Sequence, residues 1–472
     1  MKRKLVSYIV LFALGLSVLG LGLAAASTSL TPAQAASQPS AAASAPTWLK
    51  DAVIYQVNTR QFSAKGDFNS VTAAIPRLKK LGVDVLWMMP IHPIGVVNRK
   101  GSLGSPYSVK DYKGINPDLG TATDFRNLVT TAHAAGMKVI LDWVANHTAW
   151  DNPWITQHKD WYTQDGNGNV VPPNPDWSDV ADLNYDKSGM RIAMIDALKY
   201  WVAGFDIDGY RCDVAGGVPT DFWNDATAAL RTIKPVFMLA EAQGDASLRE
   251  HAFVADYGWA FKDLLVGFGA GSAGKGDFLG YMGQQQLTYQ TGTYPMLFVT
   301  NHDENSWTGS LKDMYGSGAK TLSVLTFTLP GIPLIYNGQE VDSNKRLQFF
   351  EKDLIDWNIT SSRSKTAQAF YTKLISLKTK NSALFNGTAG GSYTRIKNDS
   401  SRMVSYIRTA KSGNKVIVVL NPSAMPVTSK VEFTKDTKTY YRYSDAAKTK
   451  FTGSKLVTLK AWGFEIYSTV KP

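Results

Sequence analysis

The sequence predicts an α/β protein whose main body is a closed (β/α)8 barrel, with an inserted loop domain after the third strand and a C-terminal antiparallel β-sandwich. Three observations predict it. Short apolar runs alternate with helix-spaced segments through most of the chain, the pattern of parallel strands joined by crossover helices. Several of these runs end in charged residues at their carboxyl ends, where a barrel carries its working groups. Beyond Leu384 the texture changes to short β-branched and aromatic runs separated by turns, which reads as a second domain.

Val53-Ile54-Tyr55-Gln56-Val57 is the first strand. Val71, Ile75, Leu78 and Leu81 then recur at helical spacing until Gly82. Residues 83–88 form strand two, stopped by Pro90; residues 125–135 form a helix that ends at Gly136; residues 139–144 form strand three. Residues 148–187, rich in Asn, Asp, Pro, Gly and Trp, break this rhythm and read as the inserted domain, since so long an aperiodic stretch in a compact domain is normally functional. Helical spacing returns over 190–202. Strand four is 207–211, a helix covers 222–233, and strand five is 236–240. Trp259-Ala260-Phe261 is the choice for strand six, residues 295–300 for strand seven and 333–336 for strand eight, with helices over 322–329 and 368–378. The barrel therefore spans 47–147 and 188–383, and the C-terminal domain 384–472. An open doubly wound sheet is the rival. It usually carries a Gly-rich turn after strand one, where this chain has Asn58-Thr59-Arg60-Gln61-Phe62.

With 44% hydrophobic and 19% charged residues the chain belongs to the globular class. Its formal net charge of +11 is scattered apart from small clusters such as Arg77-Lys79-Lys80, whereas a nucleic-acid binder concentrates its charge in a stripe. Nucleic acid is therefore not an expected partner. The one cysteine, Cys212, excludes an internal disulfide, and its place between two charged residues of a strand points it to the opposite face, into packing. Lys2-Arg3-Lys4, a long apolar run and Thr31-Pro32-Ala33-Gln34-Ala35-Ala36 read as a secretory signal peptide over 1–35, cut after Ala35, with a flexible leader over 36–46. The expected location is extracellular, without membrane insertion once the signal is removed; an uncleaved anchor is the alternative.

Gly209-Tyr210-Arg211-Cys212-Asp213-Val214 organises the chemistry. Arg211 and Asp213 are two apart on a strand and share a face. Either they form a structural ion pair, or the guanidinium keeps a nucleophilic carboxylate ionised. Other strand ends tip the balance: Asp142-Trp143-Val144-Ala145-Asn146-His147 after strand three, Glu241 after strand five, and Asn301-His302-Asp303-Glu304-Asn305 after strand seven. Carboxylates converging from three strands repel one another, and a catalytic site is the usual reason to keep them. The pattern suits glycoside hydrolysis, in which one carboxylate attacks the anomeric carbon and a second carboxyl protonates the leaving oxygen. Asp213 is the expected nucleophile. Glu241, following apolar Phe237-Met238-Leu239-Ala240, is the expected acid, raised by desolvation and by its neighbours.

These motifs, in this order, resemble the four signatures of the α-amylase family of glycoside hydrolases, family thirteen. Val180-Ala181-Asp182-Leu183-Asn184 resembles the short motif near the end of that family's inserted domain, and the resemblance runs from about Trp48 to the C-terminus. It implies a retaining mechanism on α-linked glucan or maltooligosaccharide. It casts Asp213 as nucleophile, Glu241 as acid/base and Asp303 as the group that grips the sugar's 2- and 3-hydroxyls. Arg211, His147 and His302 are implied as substrate contacts, Tyr107 as the aromatic platform beneath the sugar, and Arg346 as a further sugar-binding residue. No cofactor is implied for the chemistry, but Asn146 and Asp182 match positions that bind a structural calcium in typical members. One departure stands out: Ala215-Gly216-Gly217 replaces a Lys-His pair used for substrate contact near that calcium. The short insert and its Asp182-Leu183-Asn184 lean toward enzymes of oligosaccharides. The expected activity is α-1,4 cleavage. An oligosaccharide-specific α-glucosidase, an α-1,6-glucosidase or a glucan transferase is the alternative. A catalytically inactive binder of sugar or protein is a further one.

Overall fold

The structure is a computed structural model that describes residues 40–42, 44–289 and 291–471. The expected signal peptide and residues 36–39 of the leader lie outside this range. The end of the leader is folded: Ala41 is buried and its N–H donates to the Glu250 carbonyl at 2.8 Å.

The chain forms β1 (Ile54–Val57), β2 (Val85–Met88), β3 (Lys138–Val144), the insert strands β4 (His147–Ala149) and β5 (Val180–Asp182), then β6 (Gly209–Asp213), β7 (Phe237–Ala240), β8 (Ala255–Tyr257), β9 (Tyr294–Leu297) and β10 (Ile332–Tyr336). Eight of these, in the order β1-β10-β9-β8-β7-β6-β3-β2, close a parallel barrel. β4 and β5 pair antiparallel, His147 opposite Asp182, and fasten both ends of the insert to the barrel mouth. Side chains alternate along each strand. Ile54, Val85, Trp87, Ile140, Phe237, Leu239, Ala255 and Met296 fill the barrel interior, while their neighbours in sequence pack outward under the helices. Cys212 is among the outward, buried set, as its packing role requires.

Strand bounds shift by a few residues in several places, strand seven ending at Leu297 and strand two starting at Val85, and two differences are instructive. The sixth barrel strand is Ala255–Tyr257, and Trp259 instead opens the helix Trp259–Ala270. Asp256 in the middle of that strand made it unreadable: it turns outward and is paired with the buried Arg249 and with Tyr289. The fourth barrel strand begins at Gly209, where φ is +147° and an added Cβ would lie 1.9 Å from the Phe237 carbonyl oxygen, so only glycine lets β7 approach this closely.

The C-terminal part contains β11 (Ser392–Arg395), β12 (Val404–Thr409), β13 (Lys415–Leu420), β14 (Val427–Val431), β15 (Tyr440–Arg442), β16 (Lys448–Thr449), β17 (Lys455–Leu459) and β18 (Phe464–Ser468). Six form the antiparallel sheet β11-β12-β13-β18-β15-β16, and β14 pairs with β17. Ile417, Val419, Phe433, Phe451, Val457 and Leu459 fill the space between the two sheets.

Candidate active site

Alternation along β6 aims Arg211 and Asp213 into the barrel mouth, and the register with β3 places Asp142 beside Arg211. Arg211 Nη1 donates to Asp142 Oδ1 at 2.7 Å and to Asp213 Oδ1 at 2.9 Å. Its Nη2 stands 2.8 Å from Glu241 Oε1, and its Nε donates to the Tyr257 hydroxyl at 2.9 Å. The rings of Trp87, Tyr107 and Tyr257 surround the guanidinium. Glu241 follows β7 directly, and its Oε2 accepts the Val214 N–H at 2.8 Å. Val214 holds φ at +43°, uncommon for a β-branched residue, and so presents that N–H to the carboxyl.

A second network fixes His302. Its backbone N–H donates to Gln56 Oε1 at 3.3 Å, which sets the orientation of the Gln56 amide. Gln56 Nε2 then donates to His302 Nδ1 at 2.7 Å, leaving the ring proton on Nε2. Nε2–H faces the Tyr107 oxygen at 2.6 Å and Asp303 Oδ2 at 3.3 Å, while the Tyr107 hydroxyl donates to Asp142 Oδ2 at 2.9 Å. Trp87 Nε1 donates to the same Asp142 oxygen at 3.1 Å. Burial holds the His302 ring neutral by pushing its pKa far down, and lowers that of His147 to about 4.

Asp142, Asp213, Glu241 and Asp303 thus crowd around one buried cation. Burial, then the charge of Glu241, pushes Asp213 well above the ordinary carboxylate range, with Arg211 pulling the other way. The same causes in the same order raise Asp303 to about 7, and burial raises Asp142 to about 6. Arg211 favours the ionised, nucleophilic form of Asp213 against burial and the charge of Glu241. The charge of Arg211 is divided among the carboxyls of Asp142, Asp213 and Glu241.

Asp213, Glu241, Asp303, Tyr107, His147 and His302 all line one cavity of about 430 Å³ at the barrel mouth. Arg211 lies fully buried beneath it. Arg346 is not among the lining residues: its Nε and Nη2 donate to the carbonyls of Ser306 and Trp307 at 2.8 and 3.1 Å, so it braces the turn after Asp303. Asn146 and Asp182 do not fit a calcium cage. Calcium takes six to eight oxygens, whereas here one carboxylate accompanies one amide whose nitrogen faces His147 Nδ1 at 3.2 Å. Gly217 packs against the amide oxygen, which would stand 2.8 Å from an added Cβ. Among the described residues no three His, Cys, Asp or Glu side chains group as metal ligands. Sequence reasoning missed Gln56, Trp87 and Tyr257 as supports, and Trp177, Trp307, Phe349 and Phe350 as cleft walls. Gln56 alone gave a signal, a polar residue at an inward position of an otherwise apolar strand.

A closed barrel with acidic groups gathered at its mouth around one arginine holds the parts that glycoside hydrolysis needs. The model of the alpha amylase catalytic domain matches residues 50–179 and 173–448, and the chain belongs to the α-amylase family. Its relatives include an α-amylase of Haloarcula japonica, 28% identical over 407 residues, which cover 81% of this chain and 57% of that one. A maltosyltransferase that uses α-1,4-glucan and maltose 1-phosphate, from Mycobacterium tuberculosis, is 33% identical over 198 residues, 38% of this chain and 28% of that one. The chain spans less than two thirds of the length of the first curated relatives it matches. Among solved structures, a noncanonic maltogenic α-amylase of Thermotoga neapolitana superposes with a TM-score of 0.79 at 30% identity, covering 89% of this chain and 99% of that one.

Proposed function

We propose that this chain is a secreted, retaining glycoside hydrolase that cleaves α-1,4-glucosidic bonds in starch-type glucans or maltooligosaccharides. The observation that carries the reading is the sharing of one guanidinium by Asp213 and Glu241. Their carboxyls sit on its adjacent nitrogens, at 2.9 and 2.8 Å, facing one cleft. Carboxyls held this close favour direct attack by one of them, because a water will not fit between them and the sugar. Asp213 attacks the anomeric carbon as the bond to the leaving oxygen breaks, and the Glu241 proton passes to that oxygen. Glu241, now a carboxylate, takes a proton from water, whose oxygen displaces Asp213 and releases the product. Asp303 faces the ring hydroxyls, and the neutral His302 donates through Nε2. The basic and apolar N-terminal run followed by Thr31-Pro32-Ala33-Gln34-Ala35 supports secretion.

Transfer to a sugar acceptor instead of water is the second reading, favoured by the identity with the maltosyltransferase. Hydrolysis of a chromogenic maltooligosaccharide tests both, with Asp213→Asn as the blank. Wild type releasing no more product than this variant removes the enzyme reading. Products longer than the substrate favour transfer. Isomaltose cleaved faster than maltose would exchange α-1,4 for α-1,6 preference.

A further inference from the structure

The barrel gives the cleft a direction. β7, which delivers Glu241, stands four places from β1 in the closed ring of eight strands, directly across the mouth. The leaving sugar takes its proton from Glu241, so it lies on the β7 side. The part of the glucan that stays on Asp213 points the other way, over β1, β2 and β10. The loops after β2 and β10 stand there, and they are tied together.

Ser102 is the knot. Its N–H donates to Glu351 Oε1 at 2.8 Å, and its hydroxyl to Glu351 Oε2. The Leu103 N–H donates to the Phe350 carbonyl at 3.2 Å. Gly101, at φ +65°, lies so close to Phe350 that an added Cβ would be 2.4 Å from the Phe350 Cβ, so no gap separates the two loops. On its other side the segment reaches the insert: Lys100 Nζ donates to the Asp176 carbonyl at 2.6 Å and stands 3.0 Å from Asp179 Oδ1. Arg60 holds the segment from below through the Gly104 carbonyl at 2.9 Å. Lys100, Phe349 and Phe350 line the same cavity as Asp213 and Glu241. Phe349 lies parallel to Tyr107, centroids 6.1 Å apart, and Trp307, 54% exposed, stands against Phe349 at the rim. The catalytic groups and the tied loops therefore bound one compartment, at the small end of the range for ligand sites.

We propose that this tied wall closes the glycone end of the cleft, so that the enzyme takes a glucan by its free non-reducing end and releases one short product of fixed length. The inference rests on the α-1,4 hydrolase reading above and adds the direction of the bite. Lys100 and Glu351 determine this specificity by holding the wall in place.

Two forms of 4-nitrophenyl maltoheptaoside test it, one with a free non-reducing end and one whose terminal 4- and 6-hydroxyls are capped as an ethylidene acetal. The free form should yield a single short product from the earliest time points, and the capped form should be cut at least about tenfold more slowly, since a closed site rejects what it cannot fit. Equal rates on the two forms, or early products of mixed length, overturn the proposal. No cleavage of the free form removes the hydrolase reading, and this proposal with it. Lys100→Ala and Glu351→Ala each release one side of the wall and should raise the capped-to-free rate ratio at least about threefold, in line with the strength of such ties. An unchanged ratio in variants that melt like wild type overturns the role given to these two residues.

Discussion

Two of the places where this molecule buries cations differ in what surrounds them. At the barrel mouth Arg211 is fully buried among Asp142, Asp213 and Glu241. Burial opposes its charge, but Asp142 and Glu241 outweigh that and hold the guanidinium well above its ordinary pKa. At the seam between barrel and C-terminal sheet, Lys378 and Arg408 are equally buried, yet carbonyl oxygens surround them. Lys378 donates to Leu384 and Gly331, and Arg408 to Thr328 and Gly391. Burial wins there, lowering Arg408 to about 10 and Lys378 far below its usual value. Carbonyl dipoles satisfy a buried cation without adding charge, which suits a structural joint. Carboxylates crowded beyond what one cation can balance cost stability, and a reaction is the reason to retain them.

The mouth should therefore yield variants that lose activity and gain stability. Asp213→Asn should lower kcat by about 10⁴-fold, the scale of losing a nucleophile or its partner. It should also melt higher than wild type at pH 7. A carboxyl whose folded pKa is raised lets the folded state bind more protons than the unfolded chain, so stability falls as pH rises from the unfolded value to the folded one. For Asp303 that window runs from 3.8 to about 7. The stability advantage of Asp213→Asn and Asp303→Asn over wild type should thus grow between roughly pH 4 and 7. Melting curves across that range check it, and a lower melting point for both variants at pH 7 would contradict the crowding argument. Arg211→Met is the converse: it strips the shared cation from three carboxyls and should cost about 3–5 kcal/mol, measured by denaturant unfolding.

Smaller in effect is the lock on His302. Gln56→Leu removes the donor that keeps the proton on Nε2, so the ring can present the wrong nitrogen to the sugar and to Tyr107. Outer supports of this kind are worth about 10–100-fold. The loss should appear in kcat, with a shift in the pH profile, and Gln56→Glu should not restore it, because a carboxylate cannot donate to Nδ1.

Gln56 also marks the limit of what the sequence disclosed. The barrel was legible because apolar runs alternate with helix-spaced segments, and Asp213, Glu241 and Asp303 were legible because each closes or follows such a run. Asp256 hid the sixth strand, since its partner Arg249 belongs to the preceding helix and pairing across that turn leaves no periodic trace. Arg346 looked like a sugar ligand because an arginine in an active-site loop has few other apparent uses. Only the fold shows it holding the carbonyls of Ser306 and Trp307, forty and thirty-nine residues away. The division of Arg211 among several carboxyls was equally hidden, for it depends on the register of β3 against β6 and on the reach of Glu241 from β7.

The seam offers the mildest test and the cleanest contrast. Lys378→Met keeps the volume of the side chain, removes the charge and leaves the carbonyls of Leu384 and Gly331 without their donor. It should cost about 1–3 kcal/mol, the penalty for buried acceptors left unpaired. Activity on maltooligosaccharides should be unchanged, since the residue lies on the far side of the barrel from the cleft. The pH dependence separates the two regions. A lysine whose folded pKa is lowered leaves the unfolded chain binding more protons, so this group makes wild type more stable as pH rises toward 10.5. Between pH 7 and 9 the stability lead of wild type over Lys378→Met should widen, while at the mouth the lead belongs to the variant. A lead that stays constant with pH would mean that Lys378 keeps its proton in the folded protein, and that carbonyls alone balance a full buried charge.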